Sequence, residues 1–502
     1  MAKDVWDYFC EFCTNTTVHG FKYLVENGRC VVEKLWWITV LSLCIYTCGS
    51  LVALTLKKWE TNPVFISFSQ TPMRIWNIPF PAITFCPENK VRRSKYDYSR
   101  YSYRNIKNLL TDAEFKHFLD INKFCNIKAY EYINITSHSM DVDAVNSFVE
   151  MAPISLDLIK MCYWKGQKCF GDFSAVLTDH GVCYTFNQIG RGELYKNITY
   201  LPKDEAQPRN TSHWSVDENY NRTREEVFPV RATSTADNLY LTLHSPANDV
   251  NPACAQQKGF KILFHHPAEI PTSSTDYIVL ARDEAYNIKL IPDVTVTAST
   301  LINYEPHKRG CFFSHEKTLR FYKTYTERNC KLECLANYTL QHCKCVSYYL
   351  PNDGKTTICG LLDHACEDTA EGSIPKSKQP NFILSDLADL LHLDMESEIS
   401  ATDGTQSGLP FCDCLPLCTS IVYNADITQS HNYDINVNVA FKDTKFTIRE
   451  RNELFSNTDF WASCGGLFGL FTGFSVISLA EIIYYLSLRW VCNIWSFRKR
   501  FW

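Results

Sequence analysis

The sequence has no basic arm and no tract of interleaved basic and aromatic residues, which sets aside a nucleic-acid partner. Its 50 Lys and Arg against 55 Asp and Glu leave a formal charge of −5, too small to define a partner class. There is no internal repeat and no low-complexity tract, which sets aside repeat architectures. Catalytic signatures are missing as well: no Gly-x-Ser-x-Gly elbow and no phosphate-binding P-loop. His315 and Glu316 open the stretch HEKTL, which lacks the second histidine of a metalloprotease helix. His265 and His266 sit in a proline loop. No catalytic residue, cofactor or metal is expected, and the chain reads as something other than an enzyme. What it has in quantity is cysteine, 23 residues, and aromatic side chains, 14%. So many cysteines indicate an oxidising compartment and a disulfide framework.

Charge is also nearly absent from two long runs. Residues 35–56, LWWITVLSLCIYTCGSLVALTL, carry none over 22 positions, enough for a transmembrane helix. The run starts too late and is too long for a cleaved signal peptide, and reads as an uncleaved anchor. Residues 461–488, WASCGGLFGLFTGFSVISLAEIIYYLSL, hold one charge, Glu481. Gly465, Gly469 and Gly473 recur every four residues and share a helix face, with Gly466 beside them. Ser475, Ser478 and Glu481 recur every three and make a polar stripe. A carboxylate at membrane depth faces a bundle interior or a water-filled path. Alone, this segment is equally an anchor with close glycine packing or a pore helix.

Two spans put both termini on one side of a bilayer and residues 57–459 on the other. The tail, 489–502, carries Arg489, Arg498, Lys499 and Arg500 with no acid, which favours the cytosol. In the leader, 1–34, Lys3, Lys22, Arg29 and Lys34 are offset by five acids. Glycosylation sequons stand at Asn134, Asn197, Asn210, Asn221 and Asn337, all in the outer part; a sixth, Asn15, falls in the leader.

Along the outer part, WNIPFPAITFCPENK (76–90) reads as an extended strand. In IKNLLTDAEFKHFLDI, Leu109, Leu110, Phe115, Phe118 and Leu119 form the apolar face of a helix. GVCYTFN (181–187) reads as a strand, and residues 188–235 as a polar, exposed insertion. From 239 to 303 short β-like runs dominate, and INVNVAF alternates toward the second span. Sixteen cysteines lie between the spans, an even count. Cys330 and Cys334 are four apart, one helix face; Cys412 and Cys414 are two apart, one face of an extended segment. Run antiparallel, these segments nest Cys334–Cys412 inside Cys330–Cys414 inside Cys311–Cys418, with Cys343–Cys366 and Cys345–Cys359 in a loop beyond. A soft acidic insertion interrupts this block at 367–410. Zinc is the rival for such spacing, and no histidine cluster at ligand spacing accompanies it. Cys125 and Cys254 are left with no obvious partner but each other.

Six stretches, in order, resemble motifs of the degenerin/epithelial sodium channel superfamily, most closely its insect pickpocket branch. FCTNTTVHG (12–20) resembles the leader motif, with His19–Gly20 its most characteristic pair. FPAITFC resembles the motif after the first span, GVCYTFN the close of the finger, and HHPAEIP (265–271) the upper-palm loop. The block from Cys311 to Cys345 resembles the disulfide-rich thumb, and GGLFGLFTGFSVISLAEIIYY the second span. The similarity covers nearly the whole chain.

The resemblance implies a trimeric, homomeric or heteromeric, voltage-independent and sodium-preferring cation channel, often amiloride-blocked. It implies a plasma-membrane protein with two transmembrane helices flanking a large disulfide-rich α+β ectodomain shaped like a hand. The finger would occupy about 90–185, the thumb about 311–418, and the second span 460–488. It adds the pairs Cys86–Cys183 and Cys162–Cys169, permeant Na+, and an extracellular ligand as a possible partner. A non-conducting accessory subunit is the alternative. Gly473, Phe474 and Ser475 fall on the selectivity filter, where glycine leaves carbonyls free to replace an ion's hydration shell. Glu481 matches an acidic ring below it, which raises local cation concentration. Ala462 falls where a small side chain lets the gate close, and His19 and Gly20 on a gating motif. Ser463, Gly465, Gly466, Gly469 and Ser478 complete the pore candidates. Three positions depart from the family pattern. Ser463 replaces an outer-mouth acid, Lys308 stands near a wrist tryptophan of acid-sensing members, and Tyr484 replaces a second inner acid.

Overall fold

The computed structural model describes residues 2–26, 28–61, 64–98, 110–125, 135, 138–202, 211, 214–217, 219–220, 227–251, 254–255, 259–272, 277–373, 412–454, 456–489 and 491–492. They form two compact units, one of residues 68–297 and 310–450, the other of residues 1–67, 298–309 and 451–502.

In the first unit the alternating apolar runs become two sheets. The larger is built on the long strand Glu284–Thr297. Ser420–His431 pairs antiparallel along one side of it and Ile435–Phe441 parallel along the other, with Ile288 opposite both Ile427 and Val439. Asn238–Leu243, Ile159–Trp164 and Gln167–Lys168 continue the sheet antiparallel. Ile159–Trp164 falls inside the stretch assigned to the finger, so that stretch also supplies this sheet. The smaller sheet runs Tyr277–Ala281, Gly259–His265, Ala82–Pro87, Gly181–Phe186, Phe173–Thr178, all antiparallel. Ala82–Pro87 and Gly181–Phe186 are buried at every position, which is why they read as continuous apolar runs rather than alternation. Phe80, Phe85, Phe118, Phe148, Phe186, Phe260 and Phe441 are fully buried in one core.

The helix expected around Phe115 is Asp112–Cys125, with Phe118 and Leu119 buried and Leu110 and Phe115 partly so. Leu109 lies outside the described residues. In the cysteine-rich block the helix Glu327–Cys343 starts at Thr326, whose side chain accepts from Asn329 N–H, and stops at Lys344 in the left-handed region. Cys330 and Cys334 leave it on one face and join Cys414 and Cys412. The other bridges are Cys311–Cys418, Cys343–Cys366, Cys345–Cys359, Cys86–Cys183, Cys162–Cys169 and Cys125–Cys254. The paired cysteines of the thumb thus have no thiolates to offer zinc.

Two expectations about the stretch between the spans need correction. Residues 188–235 are not exposed throughout: Leu194, Val227 and Ala232 are buried, because both flanks of the insertion join the core. Residues 367–373 are not soft either. His364–Ser373 is a helix, held by Cys366–Cys343 and by Glu367, which pairs with buried Lys123 and accepts from Ser347 at 2.6 Å. Residues 374–411, and Asn134, Asn210 and Asn221, lie outside the described residues. Asn197 and Asn337 are exposed, as a glycosylation acceptor must be.

The second unit holds the apolar runs. The first is a 31-residue helix, Val31–Thr61, longer at both ends than its uncharged stretch. It is long and apolar enough to cross a membrane. The second run is two helices, Asn457–Thr472 and Val476–Tyr484, bent by 73° and continued by a π turn, Tyr485–Arg489. This corrects the glycine face: Gly465 and Gly469 keep it, but Gly473 has left the helix. Trp59 stacks on Phe460 at 5.0 Å between ring centroids.

Candidate functional site at the bend

The bend is written in three residues. Gly473 takes φ +68°, and its N–H still reaches Gly469 C=O at 3.0 Å, so it ends the first helix as a left-handed cap. Ser475 starts the next one. Its hydroxyl accepts from Ser478 N–H and the Ser478 hydroxyl accepts from Ser475 N–H, a reciprocal capping pair. Gly-Phe-Ser is therefore a stop and a start, with Phe474 between them packed edge-on to Phe468.

A broken helix exposes backbone groups that need partners. The leader supplies them. His19 N–H donates to Thr472 C=O at 2.9 Å. Thr17 N–H donates to Glu481 Oε2 at 2.9 Å, its hydroxyl reaches the same oxygen at 3.1 Å, and it lies 2.7 Å from the fully buried Ser478 hydroxyl. Two glycines permit the approach. A Cβ at Gly473 would stand 2.5 Å from the His19 ring, and one at Gly20, itself at φ +90°, 2.7 Å from Leu41. The preceding leader helix, Ala2–Asn15, fastens the inner end: Tyr8 donates to Tyr485 C=O, Phe12 packs edge-on to the Tyr485 ring, and Glu11 pairs with Arg489.

The structure thus brings together His19, Gly20, Gly473, Ser475, Ser478 and Glu481. It leaves the remaining candidates apart from them. Ala462 and Ser463 are exposed, and a Cβ at Gly465 or Gly466 would meet nothing within 4 Å. One at Gly469 would meet only Phe474 C=O, at 3.9 Å. Lys308 is exposed, 3.8 Å from Glu305, and Tyr484 is exposed beside Tyr485. Sequence reasoning missed Thr17, Thr472, Glu11 and Arg489. The signal for Thr17 was its place in the polar run before His19–Gly20. The signal for the leader helix was the spacing of Val5, Tyr8, Phe9 and Phe12 against Asp4, Asp7 and Glu11.

His265 and His266, in the proline loop, are structural. His265 Nε2 lies 2.8 Å from the Thr84 hydroxyl, and Asn329 ties the loop to the thumb helix through Ala268 C=O and Ile270 N–H. Burial holds both imidazoles neutral, with pKa values pushed down to about 3 and about 4.

A profile of the family described as amiloride-sensitive sodium channel matches residues 12–485. The chain belongs to this family. It is a family of ion channels, not of enzymes, and pickpocket proteins are among the relatives that this chain resembles. Pickpocket protein 28 of Drosophila melanogaster is 27% identical over 97% of this chain and 80% of its own length. The bile acid-sensitive ion channel of Homo sapiens is 21% identical over 96% and 86%. Acid-sensing ion channel 2 of Homo sapiens is 20% identical over 95% and 85%. The match begins at Phe12 and ends at Tyr485, so it takes in both the leader loop and the bend it contacts.

Proposed function

We propose that this chain is a pore-forming subunit of a voltage-independent, sodium-preferring cation channel of the plasma membrane. Three subunits, identical or related, would assemble around the second span. Both termini would be cytosolic and the disulfide-bonded unit extracellular, where it gates the pore. The observation that carries this reading is the Gly473–Ser475 break inside an apolar segment that holds a single charge. A continuous helix uses its carbonyls internally, whereas a break leaves carbonyls to face an ion. The open glycine face at Gly465, Gly466 and Gly469 suits close approach of neighbouring subunits. Glu481 carries the only charge of the segment, and its contact with Thr17 ties that charge to the leader.

The test is sodium current from cells expressing the chain alone or with related subunits, with surface protein measured in parallel. Charge reversal at Glu481 should alter or abolish the current at unchanged surface level. Unaltered current and selectivity in that variant would remove the pore assignment.

A further inference from the structure

The leader helix Ala2–Asn15 has a face that the bend does not use. One face carries Tyr8, Glu11 and Phe12, which hold Tyr485 and Arg489 at the end of the second apolar run. Another carries Trp6, Phe9 and Cys13, at three- and four-residue spacing. Cys13 is fully buried, but Trp6 is 60% exposed and Phe9 43%. Their rings lie 5.8 Å apart between centroids, so the two form one apolar patch. Asp7, Glu11 and Thr14 recur along a separate, acidic strip, where Thr14 is exposed.

Two occupants fit an apolar patch here, a second copy of the chain and the bilayer. A second copy needs more than the patch offers. Two aromatic side chains exposed to this degree present roughly 200 Å², against about 800 Å² from each partner in a stable contact between chains. The bilayer needs no such area, because the patch continues a larger apolar surface. On the π turn that the helix grips, Leu486 and Leu488 are 75% and 62% exposed. Val31, Val32 and Trp36 are exposed at the start of the first helix. With both apolar runs read as crossing the bilayer, these residues face lipid and the patch extends their surface. Tryptophan favours that depth, with its apolar body in hydrocarbon and its N–H among headgroups. The acidic strip gains nothing from anionic lipid, so the attachment is apolar.

We propose that the Trp6–Phe9 face of the leader helix is a lipid-binding surface, seated in the headgroup boundary beside the inner end of the second span against zwitterionic phospholipid. The same helix leads into the loop that sets Thr17 on Glu481, so the bilayer holds the upstream end of that contact. The inference rests on the membrane-spanning reading of the two runs and needs no conduction.

The experiment is photo-crosslinking of the full-length chain in phosphatidylcholine nanodiscs, with products identified by mass. The photoreactive residue p-benzoylphenylalanine is placed singly at Trp6, Phe9, Thr14 or Tyr46, the last an exposed position midway along the first span. Lipid adducts from Trp6 and Phe9 should match the yield from Tyr46 and exceed that from Thr14, and adding phosphatidylserine should not raise them. Yields from Trp6 and Phe9 no higher than from Thr14 would overturn the proposal. Crosslinks from Trp6 and Phe9 to a second copy of the chain would do the same, and so would yields that rise with phosphatidylserine. Adducts from Tyr46 in those cases leave the spanning reading intact, whereas their absence from Tyr46 as well would remove that reading and this inference together.

Discussion

The two units of this chain are held together by different chemistry. All eight disulfides lie in the unit of residues 68–297 and 310–450, and all seven free cysteines in the other. The first unit combines covalent staples with a core of fully buried phenylalanines. The second is fastened at its bend by a few hydrogen bonds from a leader loop, around Gly473 and Gly20, which let the two segments approach closely. A covalently stapled domain resists change, whereas contacts worth a few kcal/mol together are the kind an equilibrium between states can make and break. The contrast teaches where motion is cheap: at Gly473–Ser475 and the leader, rather than in the thumb.

The largest effect should come from removing a staple. Cys311→Ser with Cys418→Ser opens a link across 107 residues and should cost about 2–5 kcal/mol, read as lost surface delivery and a lowered melting temperature. Cys30→Ser, an exposed free cysteine in the other unit, should change neither. Equal losses from both would break the comparison.

Next is Gly473→Val. A β-branched residue at φ +68°, with its Cβ against the His19 ring, should cost about 2 kcal/mol or more. Sodium current should fall to near zero while surface protein and ectodomain melting stay normal. Ala462→Val should instead leave a standing leak current, because the added methyl groups sit where three helices are proposed to meet.

A smaller effect belongs to the leader contact. Thr17→Val and Glu481→Gln should each shift the fraction of open channels, and a double-mutant cycle on that fraction should give a coupling of about 1–2 kcal/mol. Additive effects would mean that the hydrogen bond does not hold the closed or open state.

A further effect concerns acid. His180, His265 and His266 lie in the stapled unit with pKa values lowered to about 3, 3 and 4 by burial, with Lys90 and Lys261 adding to the shift at His180 and Arg328 at His265. Below pH 6.5 the unfolded chain takes up protons that the folded one refuses, so stability should decline as pH falls from 6.5 toward 4. Glu269, whose pKa burial raises, opposes this by taking a proton in the folded state. A melting temperature that rises on acidification over that range would contradict the assignment of neutral buried histidines.

Much of the stapled unit was legible because its signals are local. Four-residue spacing at Cys330 and Cys334 and two-residue spacing at Cys412 and Cys414 declare a helix and an extended segment, and alternation declares strands such as Ile435–Phe441. The bend was legible only in part. A four-residue glycine repeat looks the same whether its last member continues a helix or ends it, and only the positive φ of Gly473 decides. The contact of Thr17 with Glu481 joins residues 464 positions apart, and a polar run in one segment and a lone acid in the other do not say that the two meet.

The central claim is that the break at Gly473–Ser475 lines the ion path. The direct measurement is sodium current through Ser475→Cys channels during external application of Cd2+, with unaltered channels as the reference for the free cysteines already present. A thiol in the pore wall should bind the ion, so the account predicts block of Ser475→Cys current at concentrations that leave the reference unaffected. Ser475→Cys channels that conduct normally and are no more sensitive to Cd2+ than the reference would contradict it.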